Sequence, residues 1–141
     1  MINATLENIA VAGEGNQFLV LLKTDEDDIL PIVVGPLEAM SIAAGKLGDT
    51  NERPMTHDLM LSTFELLGAS VKRIEITDLV DGTFYAHLIL ENRGIELDID
   101  ARPSDAMALA VRTGVPILIA PSVLDEAALE DVTDGTSSFE A

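Results

Sequence analysis

The stretch from residue 71 to 101 limits what this chain can fold into more than any other part of it. Apolar and polar residues alternate with a period of two through 71–79, 83–90 and 95–101. Such alternation marks a strand with one face buried and the other wet. Asp81-Gly82 and Asn92-Arg93-Gly94 separate the runs, and both read as tight turns. The stretch is therefore expected to form a three-stranded antiparallel meander. A two-residue Asp-Gly loop would set Ile74 against Ile89 and Ile76 against His87. A three-residue loop with Gly82 as a bulge sets Ile74 against Leu88 and Ile76 against Ala86. A one-residue slip turns every side chain over, and only the second register gathers the apolar residues on one face. The next turn then sets Leu88 against Leu97 and Ala86 against Ile99. The other face should carry Glu75, Thr77, Tyr85, His87, Ile89, Glu96, Asp98 and Asp100. On it His87 would lie between Glu75 and Asp98, and Tyr85 between Thr77 and Asp100.

Elsewhere the pattern mixes strands and helices. Residues 4–12 and 17–23 read as a hairpin about Gly13-Glu14-Gly15-Asn16. After an acidic loop, Ile29 to Val34 is a buried strand, and Pro36 opens a helix. Leu37, Met40, Ala44 and Leu47 recur at helical spacing, so they are expected to form its buried face until Gly48 stops it. Thr56 is the expected N-cap of a second helix, with Leu59, Met60, Thr63, Phe64 and Leu67 inward. A third helix starts at Arg102-Pro103-Ser104-Asp105, buries Met107, Ala110 and Val111, and ends at Gly114. Val115 to Ala120 reads as a short strand, and Ser122 as the cap of a last short helix. The expected fold is α+β, an antiparallel meander and hairpins with three main helices and a short C-terminal one. Residues 1–130 form the expected domain, and the acidic stretch 131–141 a mobile tail.

The charge is lopsided: eight basic residues against 25 acidic give −17. Such a surface repels a polyanion at low salt. Two readings follow. Either the partner is not nucleic acid, or the chain is adapted to a salty cytoplasm, where a Debye length of about 3 Å at 1 M salt screens the repulsion. Few lysines, many acids and 48% hydrophobic residues favour the second. Cysteine is absent, which excludes disulfides, thiolate catalysis and Cys-based zinc sites. No apolar run is long enough to cross a bilayer, so no membrane partner is expected. The N-terminus has no basic segment or cleavage-like site, so a cytoplasmic location is expected.

Four segments taken in order are distinctive. They are Leu30-Pro31-Ile32-Val33-Val34-Gly35-Pro36-Leu37-Glu38-Ala39, Arg53-Pro54-Met55-Thr56-His57-Asp58-Leu59, Asp81-Gly82-Thr83-Phe84-Tyr85-Ala86, and Ile99-Asp100-Ala101-Arg102-Pro103-Ser104-Asp105-Ala106-Met107-Ala108-Leu109-Ala110. Together they resemble the bifunctional nuclease domain family over nearly the whole chain. The resemblance implies an α+β fold, self-association and activity on both DNA and RNA. A positive mean hydropathy of +0.29 also points to self-association, most simply a homodimer.

Phosphodiester hydrolysis needs an activated water and positive charge on the developing oxyanion. With so few basic residues, that charge is expected from Mg²⁺ or Mn²⁺ held by carboxylates. Three sets of residues could contribute. On the polar meander face, Glu75, Asp98 and Asp100 are candidate metal ligands and His87 a base or ligand; the bland alternative is a solvated sheet face. At the second helix start, His57 and Asp58 are catalytic candidates beside Glu38, with Arg53 on the substrate. There, capping alone explains Thr56 and Asp58 but not His57. At the third helix start, Arg102 and Ser104 could hold a phosphate; alternatively Arg102 pairs with Asp100 or Asp105 and fixes the corner. The expected function is a metal-assisted nuclease of little sequence preference, and the alternative is a non-enzymatic oligomeric binding or scaffold domain.

Overall fold

A computed structural model describes residues 1–13, 15–48 and 53–130. The expected tail at 131–141 lies outside the described residues. The elements are β1 (Ile2–Ala12), β2 (Gln17–Thr24), β3 (Asp28–Val34), α1 (Pro36–Leu47), α2 (Thr56–Leu66), β4 (Ser70–Val80), β5 (Thr83–Asn92), β6 (Ile95–Ala101), α3 (Pro103–Thr113), β7 (Ile117–Ile119), α4 (Pro121–Ala127) and β8 (Leu129–Glu130). The fold is α+β, as expected. One mixed sheet runs in the order β6-β5-β4-β7-β1-β2-β3-β8. Its only parallel neighbours among the described residues are β4 and β7. No described helix is long and apolar enough to cross a membrane.

The core lies between the sheet and the helices. From the sheet come Val20, Leu22, Leu30, Ile74, Ile76, Leu88 and Ile119, and from α3 come Met107 and Leu109. Each aliphatic side chain buried this way stabilises the fold by roughly 1.5–3 kcal/mol.

The meander keeps its expected buried face on β4 and β5 but reaches it differently, and on β6 Leu97 and Ile99, assigned to that face, are exposed. Val80 pairs directly with Thr83, so the loop is only Asp81-Gly82. Its φ values of 51° and 78° are those of a type I′ turn. The register change assigned to Gly82 occurs instead at Thr77, a bulge between the pairs Asp78–Tyr85 and Ile76–Ala86. The bulge lets Ile76 and Leu79, three residues apart, both pack toward the core. A second two-residue turn, Arg93-Gly94, makes Asn92 pair with Ile95. The last strand is therefore displaced by two from expectation, and Leu88 meets Ile99 rather than Leu97. A shift of two preserves the faces. His87 now lies opposite Glu75 and Asp100, and Tyr85 opposite Asp78. Ile89, assigned to the wet face, is buried.

The helices depart further. Leu37, Met40 and Leu47 are exposed, and the buried face of α1 is Ala39, Ser41 and Ile42. Small residues decide this, because α1 lies close against α3. A Cβ at Gly45 would stand 2.7 Å from Val111 Cγ2. In α2 only His57 is buried; Met60, Leu61 and Phe64 are partly covered, and Leu59 and Leu67 face outward. Met55, not Thr56, is the N-cap of α2, and Ala120, not Ser122, that of α4. Gly48 and Gly114 take the left-handed conformation and end α1 and α3 as expected.

Candidate functional site

Three helices meet through polar side chains around His57. The ring sits in the first turn of α2 and is 8% exposed. Ser41 Oγ, from α1, lies 2.6 Å from its Nδ1. Asp105 Oδ1, from the first turn of α3, lies 2.9 Å from its Nε2. The two motifs that hold His57 and Asp105, distant in sequence, thus converge.

A second set of contacts runs beside the first. Arg112 Nε donates to Asp58 Oδ1 at 2.8 Å, and its Nη1 donates to the backbone carbonyls of Ser41 and Ala108, each at 2.9 Å. Asp58 Oδ2 accepts the N–H of Met55 at 2.9 Å, closing the N-terminal turn of α2. That backbone hydrogen bond, followed by the one from Arg112, holds the Asp58 carboxyl below the usual carboxylate range. Asp58 is accordingly committed to cap and ion pair.

Three hollows adjoin this cluster. The largest, about 560 Å³, is lined by His57, Met60, Phe84, Tyr85, Asp100, Arg102 and Asp105 among others. A second, about 360 Å³, shares Thr56, His57 and Asp105 with it and extends past Glu38 and Met40. A third, about 320 Å³, shares Phe84 and Arg102 with the first and reaches Ser104. The His57–Asp105 pair therefore stands between two hollows, and Arg102 between the first and third.

The expected ion pair of Arg102 with Asp100 or Asp105 does not form. Its guanidinium is largely exposed and lies 3.9 Å from Glu38 of α1. Ser104 is buried, and its hydroxyl has no hydrogen-bond partner. Arg53 is exposed.

The meander face is organised by its cations. Arg73 donates to Glu75 at 2.7 Å and grips Glu96 with both terminal nitrogens, while Lys72 pairs with Glu91 and Glu96. Arg73 and Lys72 together draw the Glu96 carboxyl down to about 2. His87 Nδ1 lies 2.6 Å from Asp98 Oδ1. With Glu75 taken by Arg73, the set Glu75, His87, Asp98 and Asp100 is not gathered. No three His, Asp or Glu side chains among the described residues are grouped to hold a metal ion.

The sequence alone sets Asp105 in the third-helix group beside Arg102 and Ser104, and gives no reason to join it to His57 or to single out Ser41 and Arg112. A lone serine in the small, apolar run Ala39-Met40-Ser41-Ile42-Ala43-Ala44-Gly45 was the available signal. Asp105 and Arg112 look like ordinary helix-dipole partners at the two ends of α3.

The sequence pattern of the bifunctional nuclease domain matches residues 19–131. An uncharacterized protein of Mycobacterium tuberculosis is 43% identical over 122 residues, which is 86% of this chain and 73% of that protein. Bifunctional nuclease 1 of Oryza sativa subsp. japonica is 30% identical over 105 residues, 71% of this chain. Bifunctional nuclease 2 of Arabidopsis thaliana is 29% identical over the same length. The chain spans 32% of each of these plant relatives.

Proposed function

Since the chain belongs to the bifunctional nuclease domain family, we propose that it hydrolyses phosphodiester bonds of DNA and RNA, with little sequence preference, at the hollows around His57 and Asp105. The observation that carries this reading is the His57–Asp105 contact, set between two hollows and beside the unburied guanidinium of Arg102. An imidazole–carboxylate pair can manage the proton of an attacking water. Arg102 can bind a phosphate bidentately, and the α3 N-terminus with Ser104 adds further donors. Arg53 lies on the approach to α2 and would contact the substrate outside the hollow.

Mg²⁺ or Mn²⁺ would supply positive charge to the scissile phosphate. Mg²⁺ is usually held by one or two carboxylates together with substrate phosphates. Asp100, which lines the same hollow, fits that requirement better than a preformed cage on the meander face. A second reading places the chemistry at His87, and the short His87–Asp98 contact with Asp100 opposite favours it.

The same proposal makes the protein a cytoplasmic homodimer adapted to salt. The outward apolar side chains of Leu37, Met40 and Leu59 support self-association.

The test is DNase and RNase activity of wild-type, His57→Ala and His87→Ala protein in multimolar salt, with and without Mn²⁺. Cutting that needs metal and is lost only in folded His57→Ala places the chemistry at the hollows. Loss only in His87→Ala moves it to the meander face. Identical behaviour of all three favours the oligomeric scaffold.

A further inference from the structure

We infer that Asp105, rather than His57, is the group that takes the proton from the attacking water, and that Ser41 and His57 are positioning residues that aim its carboxylate. The inference rests on the hydrolytic reading above and deepens it.

His57 has no ring nitrogen left for a water. Nδ1 faces Ser41 Oγ at 2.6 Å and Nε2 faces Asp105 Oδ1 at 2.9 Å, and the ring is buried. Asp105 is placed differently. Its side chain is 46% exposed and lines both the 560 Å³ and the 360 Å³ hollows. Oδ1 is occupied by His57, while Oδ2 has no hydrogen-bond partner among the described residues. One oxygen is thus fixed and the other left for solvent or substrate.

The direction of the chain follows from its donors and acceptors. A carboxylate only accepts, so the imidazole carries a proton on Nε2. In the neutral ring Nδ1 is then an acceptor, and the Ser41 hydroxyl donates to it. Arg112 takes the backbone carbonyl of Ser41 and holds that turn of α1 in place. Ser41 is among the residues of the 360 Å³ hollow but is only 6% exposed, too little for an in-line attack on a phosphate, so it is not a nucleophile in this arrangement.

In the reaction, the water oxygen bonds to phosphorus as the P–O ester bond breaks. The water proton moves to Asp105 Oδ2 and the leaving oxygen takes a proton from solvent. Asp105 then returns its proton to bulk water. Atoms and charge balance without a further reactant.

The test combines cleavage of a single-stranded oligonucleotide with ¹⁵N spectra of the histidine rings, on the full chain. Wild-type His57 should show the Nε2–H tautomer, and Ser41→Ala should mix tautomers while lowering kcat at unchanged KM. Asp105→Asn should lose about 100-fold or more in kcat. If Asp105→Asn does not fold, Asp105→Ala with added formate replaces it, and restored cleavage supports the proposal as a merely structural role would not. Wild-type rates in folded Asp105→Asn, or an Nδ1–H tautomer in the wild type, overturn it while leaving the nuclease reading intact. If the wild-type chain cuts neither DNA nor RNA, the hydrolytic reading fails and this proposal falls with it.

Discussion

Arg112 reaches across from α3 to Asp58 of α2 at 2.8 Å, and on the way its guanidinium also binds the Ser41 carbonyl of α1. One side chain, itself 7% exposed, fastens three helices. Arg112→Ala should cost about 2 kcal/mol, a fall in melting temperature of roughly 7 °C, because it strips the buried Ser41 carbonyl of its partner and the half-exposed Asp58 of its ion pair. Arg112→Lys should recover only part of this, since an ammonium cannot reproduce the planar fork. Thermal melts of the three proteins decide it. An unchanged melt for Arg112→Ala would mean the fastening is ornamental.

Gly45 is the point of closest approach between α1 and α3. Alanine there would gain about 1 kcal/mol of helix propensity. Its Cβ, however, would stand 2.7 Å from Val111 Cγ2 and 2.8 Å from Arg112 Nη1. Overpacking of that kind costs about 1–3 kcal/mol, and the pinned guanidinium cannot swing aside freely. Gly45→Ala is therefore expected to lower the urea midpoint. A higher midpoint would show that the helices separate at little cost.

Glu96 carries an acid-stability signature. Its carboxyl is lowered from 4.5 to about 2 by Arg73 and Lys72, so the folded state binds its proton less readily than the unfolded chain. The resulting stabilisation is present above pH 4.5 and is lost as pH falls toward 2. The difference in urea midpoint between wild type and Glu96→Gln should accordingly shrink over that window. A difference that stays constant through it would remove Glu96 from the account.

Net charge sets a prediction for activity. Shortening the Debye length from about 10 Å at 0.1 M salt to about 3 Å at 1 M relieves repulsion between a −17 chain and nucleic acid. Cleavage should rise over that range. An ordinary basic nuclease loses phosphate contacts to salt and slows. Initial rates against salt concentration separate the two, and a falling rate would count against the protein as the source of activity.

The strands were easier to read from the sequence than the helices, and the reason is physical. In Ile74, Ile76, Ala86 and Leu88 the period-two pattern and the buried face coincide, because each strand has only two faces to choose from. In α1 the large apolar residues lost to small ones. Close packing on α3 required Gly45 at the contact, the face turned inward carries Ala39, Ser41 and Ile42, and Leu37, Met40 and Leu47 are left outside. The site was half legible. His57 stood out because capping could not explain it. Ser41 and Asp105 could not be joined to it from sequence, since their meeting depends on how three helices cross. The displacement of β6 turned on Arg93 accepting a positive φ, which a non-glycine residue rarely does.

The bulge at Thr77 also bears on how this chain can change length. Asp78 pairs with Tyr85 and Ile76 with Ala86, so Thr77 is the one residue between them that opposes nothing. Losing its codon would leave every neighbouring pair intact and every side chain on its present face. The same loss at Glu75 or at Tyr85 would turn over the strand beyond it. A one-residue gap in the descendants of this hairpin should therefore fall at position 77, or at Lys72, which is bulged in the same way between the pairs Val71–Leu90 and Arg73–Ile89.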